Sequence, residues 1–416
     1  MSPLKQREVL EAFAEACETN DFARISQVWS HYSYDLEGAR EVFVVDETKH
    51  DEPLLPTDVS FKGKCFLTSL LKSRQLGSIQ NPSSPRRFNY CWYALADTNF
   101  VSYCNAAYSG KSLGPLADAF YAAGDYLMTK RGNLRALCFL VENFDRRFLT
   151  QVKESMKAFA AFKFADPEAF RRNRVIHPTV PEKRLEEMAT SVLAVLETPD
   201  FKTIYGPMKQ YHLLSCIALT RIAAIDFSSR KGKPAKQKFL KLLEYFDKEV
   251  TMLPQIELLV AWRYYELKSQ EPFFNTIQRN AGDLLGSIRS MAWDLAHWRN
   301  ALMLATATGH LGINANVPIP YFLTFDQAFA GLLRHLQLKG VIFLGSGTRY
   351  IAIPDNQNLQ SFSDVVEEAE HLLTPAAVTD RQKRRPADHA LASHFELLAR
   401  AAQEELVAII NGSGPS

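Results

Sequence analysis

Apolar residues recur every three to four positions over most of the chain, which is the spacing of one face of a helix. This pattern predicts a helix over 3–19 and two more over 363–411, with breaks at Thr374–Pro375 and at the basic segment 381–386. Between these ends, the same spacing predicts helices over 114–163, 182–197, 207–227, 236–268 and 282–306. The middle of the protein is therefore predicted to be almost entirely helical.

Short apolar runs of strand length interrupt the helical pattern. They lie at 90–96, 319–326, 340–345 and 350–354. The first run, YCWYALA, gives way at once to the polar sequence DTN, as buried parallel strands often do. Because neighbouring elements of a chain tend to pack together, we expect the three later runs to pair near the first. The pattern predicts one sheet whose two sequence halves are separated by a helical bundle.

Three regions follow from this order of elements. We predict a helical N-terminal region over 1–85, in which Val42–Val45 could form a short strand, a core with a parallel sheet over 86–355, and a helical tail over 356–416. The core would carry a large helical insertion at about 150–285. The predicted fold class is α/β, with a parallel-sheet core, a large helical insertion, and helical N- and C-terminal additions.

Composition narrows the class of protein. The chain has 416 residues, of which 47% are hydrophobic, and its formal net charge is +2, so no global basic field favours a polyanion and any nucleic-acid site must be local. The six cysteines include no CxxC pair, which favours reduced thiols in the core. No signal sequence and no apolar run of about 18 residues is evident, so we expect a cytoplasmic protein without a membrane partner.

Two aspartates directly follow predicted strands. Asp97 comes after WYALA and Asp326 ends the run at 319–326. In parallel α/β sheets the loops at the carboxyl ends of strands form the crevice where ligands bind. Each aspartate also precedes a helical pattern, so both are equally well placed to serve as helix N-caps.

Two further acids lie within predicted helices. Asp294 and His297 fall on one face of the helix over 282–306, while Arg299 lies further around it. A surface aspartate paired with a neighbouring Arg or His is the simpler interpretation of this spacing. Glu142 follows the apolar run LCFLV, where a buried carboxylate must be paired, protonated or bound to metal, although the solvent edge of that helix would suit it as well.

Taken in order, these motifs resemble the PIN-like nucleases. The strand followed by DTNF at 97–100, the helical Glu142, the DxxHxR motif that starts at Asp294, and the TFD that ends at Asp326 carry the resemblance, which covers about 90–150 and 285–350. The resemblance implies a parallel sheet whose acidic residues bind divalent metal and hydrolyse phosphodiester bonds, in RNA more readily than in DNA. It also implies a role as a toxin or phage-defence effector, with an antitoxin or defence protein as partner.

On this interpretation Asp97, Asp294 and Asp326 are metal ligands and catalytic residues, with Glu142 as a fourth ligand or the holder of an outer water. An all-oxygen ligand set favours Mg²⁺ or Mn²⁺. Other acids are open as the second ligand, namely Asp118, Asp125, Asp145 and Glu257. The supporting residues would be Thr98, Asn99, His297, Arg299 and Thr324.

A nuclease must also hold its substrate. Basic clusters that could contact phosphates are Arg86–Arg87, Arg171 with Arg172 and Arg174, Arg230–Lys238, and Arg381–Arg385. The main alternative is a non-catalytic helical interaction protein in which the aspartates are only caps. A phosphatase that uses an aspartate nucleophile is less well supported, because Asp97 lacks the DxD spacing of the haloacid dehalogenase kind.

Overall fold

The strands form two separate sheets. The computed structural model describes residues 12, 27, 39–45, 58–69, 76–79, 89–130, 133–230, 232–306, 316–336, 338–344, 349–354, 365 and 368–412. Its strands are β1 (Ala39–Val45), β2 (Val59–Phe61), β3 (Cys65–Ser69), β4 (Leu76–Ile79), β5 (Asn89–Ala96), β6 (Asn133–Arg135), β7 (Asn316–Thr324), β8 (Leu338–Leu344) and β9 (Arg349–Pro354). One sheet has the order β2-β3-β7-β5-β6, and the other has the order β4-β1-β8-β9.

The first of these sheets contains the predicted parallel pairing. β5 lies between β6 and β7 and runs parallel to both. On the far side of β7, β3 and β2 pair antiparallel. The prediction that β7 returns beside β5 after a long helical excursion is therefore confirmed.

The prediction of a single sheet is wrong. β8 and β9 form an antiparallel hairpin that pairs through β8 with β1, and not with the strands around β5. β1 to β4 all fall within 1–85, which was predicted as a helical region apart from a short strand at Val42–Val45, and that strand lies within β1. The runs VFVV in β1 and CFLT in β3 are rich in β-branched and aromatic residues, which suit a sheet better than a helix. The helix predicted at 3–19 lies outside the described residues, apart from Ala12.

Helices occupy most of the rest, as predicted. They are α1 (Thr98–Tyr108), α2 (Ala117–Thr129), α3 (Leu137–Glu142), α4 (Thr150–Lys163), α5 (Pro167–Asn173), α6 (Glu182–Val195), α7 (Pro199–Ser228), α8 (Ala235–Tyr245), α9 (Gln255–Leu267), α10 (Leu284–Thr306), α11 (Gln327–His335), α12 (Pro375–Arg384) and α13 (Asp388–Ile410). The helix predicted over 114–163 is interrupted by the short strand β6. Among the described residues, no helix combines the length and the apolar character that a membrane crossing needs.

The helical additions enclose the first sheet. α10 packs between β7 and the long helix α7, and α13 packs on the other helices through α7. α1 turns back from the end of β5 onto α4, with Phe100 fully buried. Trp298 of α10 is also among the large side chains that are almost wholly buried. The described residues form an α/β fold with helical additions, in which α10 is held against the sheet on one side and the bundle on the other.

Candidate active site

Asp97 and Asp326 lie together at the carboxyl edge of the parallel strands. The register places Ala96 of β5 opposite Leu323 of β7, and the Asp97 amide donates to the Leu323 carbonyl at 3.0 Å. Thr324 joins the two aspartates: its hydroxyl donates to Asp97 Oδ2 at 2.7 Å and accepts from the Asp326 amide at 2.9 Å. The predicted supporting residue Thr324 thus holds the Asp97 carboxylate and the backbone of Asp326.

Both aspartates are also helix N-caps. Asp97 Oδ1 accepts from the Phe100 amide of α1 at 2.6 Å, and Asp326 Oδ1 accepts from the Phe329 amide of α11 at 2.9 Å. This confirms the structural interpretation that the sequence left open. The two roles are compatible, because a cap engages one oxygen of a carboxylate and the positive end of the helix favours the negative charge that a ligand needs.

Glu142 reaches the same edge from β6. Because β6 is parallel to β5, the helix that follows it, α3, begins at the carboxyl edge. α3 ends at Glu142, where the side-chain amide of Asn143 donates to the Phe139 carbonyl at 2.9 Å. His297 Nε2 lies 2.7 Å from Glu142 Oε1, so the helical acid and the helical histidine form a direct pair across α3 and α10.

Asp294 lies within electrostatic range of the other three acids. Burial raises the pKa of Asp294 well above its ordinary value; Asp326, Glu142 and Asp97 raise it further, and His297 opposes them. Three carboxylates from distant segments of the chain therefore act on Asp294 at one end of the sheet. We call Asp97, Glu142, Asp294 and Asp326 the acid cluster.

The acid cluster is half-buried rather than sealed. Burial raises the pKa of Asp97 to about 6, and Glu142 adds to the rise although hydrogen bonds from Thr324, Phe100 and Phe325 act against it. These carboxylates thus meet at a cost, since like charges at about 4 Å repel by roughly 1 to 4 kcal/mol depending on local dielectric. A cation is one means of offsetting that cost.

The donor chemistry fits a hard divalent ion, but the ligand set is not assembled. In the part of the chain that the structure describes, no three His, Cys, Asp or Glu side chains surround a single point as metal ligands do. Two buried polar atoms next to the acid cluster, Thr98 Oγ1 and His297 Nδ1, have no hydrogen-bond partner there. Oxygen donors in mutual repulsion, with unsatisfied polar atoms beside them, suit Mg²⁺ or Mn²⁺ better than structural zinc.

His297 is held by more than Glu142. Burial lowers its pKa, but contact with the Cys138 thiol and with Glu142 raises it by more, so that the pKa of His297 lies well above the ordinary value. Cys138 and Glu142 are one turn apart on α3, which places both near the imidazole. The predicted supporting role of His297 is thus a geometric one, because it orients Glu142.

Arg299 does not join the acid cluster. It forms a buried ion pair with Glu257 of α9, and Ser215 of α7 donates to the same carboxylate at 2.8 Å. Arg299 was predicted to support the site because it shares a motif with Asp294. It lies two positions after His297 on the same helix, however, and therefore projects from a different face. Asn99 is exposed on α1, and the structure gives it no contact with the acids.

The other acids that the sequence left open are engaged elsewhere. Glu257 belongs to the ion pair with Arg299, Asp118 accepts from Arg174 at 2.5 Å, and Asp125 accepts from Arg171 at 2.8 Å. Asp145 hydrogen-bonds to the Tyr205 hydroxyl. Glu142 is the acid on this part of the chain that reaches Asp294.

Several basic side chains that were expected to bind phosphate form ion pairs with acids of the protein instead. Besides Arg171 and Arg174, Arg381 is buried against Asp247, with Nη1 2.7 Å from Oδ1. Lys238 pairs with Asp226 at 2.7 Å. Arg86 and Arg87 lie outside the described residues. These clusters stabilise helix contacts where the structure describes them.

Two aromatic residues at the site were not predicted from the sequence. Trp293 stacks on His212 with ring centroids 4.0 Å apart and on His297 at 5.5 Å. Burial lowers the pKa of His212 to about 4, so it remains neutral beside His297. The signal for Trp293 was its position next to Asp294, whereas His212 lies on α7 and no local pattern connects it with the acids.

Comparisons of this chain with protein-family models, with curated proteins and with solved structures gave no match. The likeness of its motifs to PIN-like nucleases therefore stays a prediction. What the acid cluster can do must be inferred from its own geometry and charge.

The pKa of Asp97 predicts a pH dependence of stability in metal-free protein. A folded-state pKa of about 6 against an ordinary 3.8 means that folding favours the protonated form. The contribution of Asp97 is therefore fully present below pH 3.8 and is lost as pH rises through 6. We expect the free energy of unfolding of the wild type, relative to Asp97→Asn, to fall across this window in urea titrations with EDTA. A flat difference would contradict the burial of this carboxyl.

Proposed function

We propose that this protein is a divalent-metal-dependent nuclease that hydrolyses phosphodiester bonds, in RNA more readily than in DNA, on a PIN-like core. The observation that carries the proposal is the acid cluster itself. Its members are residues 97, 142, 294 and 326, and the other three act on Asp294 at the carboxyl edge of parallel strands. Such a meeting of like charges lowers stability, and it is typical of functional sites.

Asp97, Asp294 and Asp326 would hold Mg²⁺ or Mn²⁺, with Glu142 as a fourth ligand or as the holder of a water. The bound ion would supply Lewis acidity at the scissile phosphate and a lowered pKa for the attacking water. Because the carboxylates are not yet arranged around one point, binding would draw their side chains inward. Both aspartates at the strand ends would keep their helix caps.

The chain's own residues would prepare this chemistry. Thr324 holds the Asp97 carboxylate through its hydroxyl, and His297 Nε2 fixes Glu142 Oε1. The second oxygen of Glu142, on a side chain that is 23% exposed, would then accept a hydrogen bond from a water. Such fixed partners favour catalysis because they remove the cost of orienting the acids during the reaction.

The motif resemblance extends the proposal to cellular role. It favours a toxin or phage-defence effector that works in the cytoplasm under control of an antitoxin or a defence-system partner. The chemistry of the acid cluster is the part of the proposal to test first.

The test combines metal binding with cleavage. Calorimetry with Mn²⁺ should show binding by the wild type and clear weakening in Asp326→Asn, which keeps the cap through its amide oxygen but loses the charge. Labelled RNA and DNA should be cut in Mn²⁺ and spared in EDTA. Asp200→Asn, an exposed aspartate in the first turn of α7, is the matched control and should behave as the wild type. Equal Mn²⁺ binding by both variants would contradict the proposed site.

The alternative of a non-catalytic interaction protein also has an observation in its favour. Asp97 and Asp326 are satisfied as helix caps, and the described residues hold no assembled ligand set. On that interpretation Mn²⁺ gives no binding heat and Asp97→Asn changes only stability. The same calorimetry therefore separates the two functions.

A further inference from the structure

An exposed aromatic side chain lies six residues beyond Glu142. Phe148 is 78% exposed and Leu149 beside it is 53% exposed, in the turn between α3 and α4. A Phe ring that stays largely in water forgoes most of the roughly 1.5 to 3 kcal/mol that its full burial would contribute. The segment from Glu142 to Phe148 spans at most about 20 Å, so the ring lies within reach of the acid cluster.

The Phe148 ring is held in place from one side. The Arg147 guanidinium carbon lies 4.4 Å from its centroid and 4.2 Å from that of Phe144. Arg147 is fixed in turn, because it donates to the Phe144 carbonyl at 2.7 Å and pairs with Glu197. One face of Phe148 thus rests on a fixed cation, and the other faces solvent.

The charged side chains around Phe148 are of both signs, and one of the cations has no partner in the described part of the chain. Arg147 pairs with Glu197, and the exposed Asp145 hydrogen-bonds to the neutral Tyr205 hydroxyl. Arg146 is exposed, and its guanidinium has no partner among the described residues. The segment therefore presents one open aromatic face next to one free positive charge.

Buried packing connects the support of Phe148 with the acid cluster. Phe144 is buried in a small apolar cluster with Val141, and Trp293 packs against the same cluster. Val141 directly precedes Glu142, and Trp293 directly precedes Asp294. The cluster that holds Phe144 beneath Arg147 therefore also contacts the neighbours of two members of the acid cluster.

We propose that Phe148 and Arg146 form a platform for single-stranded nucleic acid, with an unpaired base stacked on the Phe148 ring and a phosphate held by Arg146. This inference rests on the proposed function and specifies its substrate. Stacking on aromatic rings suits any base but requires that the base be unpaired, and a free arginine binds the backbone without reading sequence. A duplex hides the faces of its bases and would not engage the ring.

Binding is measured by fluorescence anisotropy in EDTA, so that affinity is separated from cleavage. The probe is a uridine strand of about 12 nucleotides, within the length that such surfaces cover, together with a duplex of the same length. The loss of one stacked base, about 1 to 3 kcal/mol, should weaken binding of the single strand by Phe148→Ala roughly 5-fold to 150-fold. Phe148→Trp should retain binding, and Leu149→Ala, the matched exposed control, should change it less than about 2-fold.

Arg146→Gln tests the phosphate contact independently of the ring. It should lower the slope of log affinity against log salt concentration by about 0.7, the value for one phosphate of a single strand. Equal binding of duplex and single strand, no effect of Phe148→Ala, or an equal loss in Leu149→Ala would overturn the proposal. Phe148-dependent binding without cleavage in Mn²⁺ would instead overturn the proposed nuclease alone.

Discussion

Asp294→Asn is expected to make the metal-free protein more stable and the metal-loaded protein inactive. In EDTA near pH 8, the wild type must either keep a negative charge near three other acids or protonate a group at an unfavourable pH. Asn avoids both, so we expect a gain of about 1 kcal/mol or more in the free energy of unfolding. The gain should shrink towards pH 4, because the stability that this raised pKa supplies is present at low pH and lost as pH rises.

With metal bound, the wild type should be more stable than Asp294→Asn. Mn²⁺ at about 100 times its dissociation constant stabilises a binding protein by roughly 2.7 kcal/mol, so the melting temperature of the wild type should rise with Mn²⁺ while that of Asp294→Asn stays nearly constant. Cleavage should fall at least ~100-fold, which corresponds to about 2.7 kcal/mol of transition-state stabilisation. Thermal melts with and without Mn²⁺ and single-turnover cleavage measure both. An active variant, or one destabilised in EDTA, would contradict the role given to Asp294.

Arg299→Met is expected to destabilise the fold strongly without removing a ligand of the site. Glu257 is 1% exposed and Arg299 is 9% exposed, so the substitution leaves a carboxylate buried with Ser215 as its remaining donor. Breaking a buried pair from one side costs about 3 to 5 kcal/mol. Urea unfolding should show this loss as a lower midpoint, with little change in the denaturant slope.

The matched control is the double variant Glu257→Leu with Arg299→Met. Removing both charges leaves no unpaired ion, so most of the lost stability should return. If Arg299 acted on the acid cluster instead, the double variant would refold but lose Mn²⁺ affinity. Unchanged Mn²⁺ affinity in the double variant would confirm that this pair only joins α7, α9 and α10.

Much of the acid cluster could be anticipated because it depends on chain direction. An aspartate directly after a parallel strand lies at the carboxyl edge of the sheet, and both Asp97 and Asp326 lie there. The sequence also predicted both caps, since Asp at the start of a helix satisfies a free amide. Glu142 was the least constrained choice, because several acids share its stretch and only the position of α3 relative to α10 separates them.

Failures arose where a partner lies far away in sequence. Helical spacing predicted contacts of Arg299 only with residues of its own helix. Its actual partner, Glu257, lies on another helix, and local sequence patterns do not show how two helices pack together. β8 and β9 read correctly as strands, yet their pairing with β1 depends on residues nearly 300 positions earlier. His212 was also not predicted, because it lies beside Trp293 only through the packing of α7 on α10.

The sequence by itself determined the helical middle, the strands β5 and β7, and the acids at their ends, because periodicity, strand polarity and capping are local properties. Only the tertiary structure decided which acids meet, that the strands divide between two sheets, and that Arg299 serves a buried ion pair. The physical reason is that electrostatic energy and burial depend on distance in space, and the chain brings together residues whose separation in sequence carries no information about that distance.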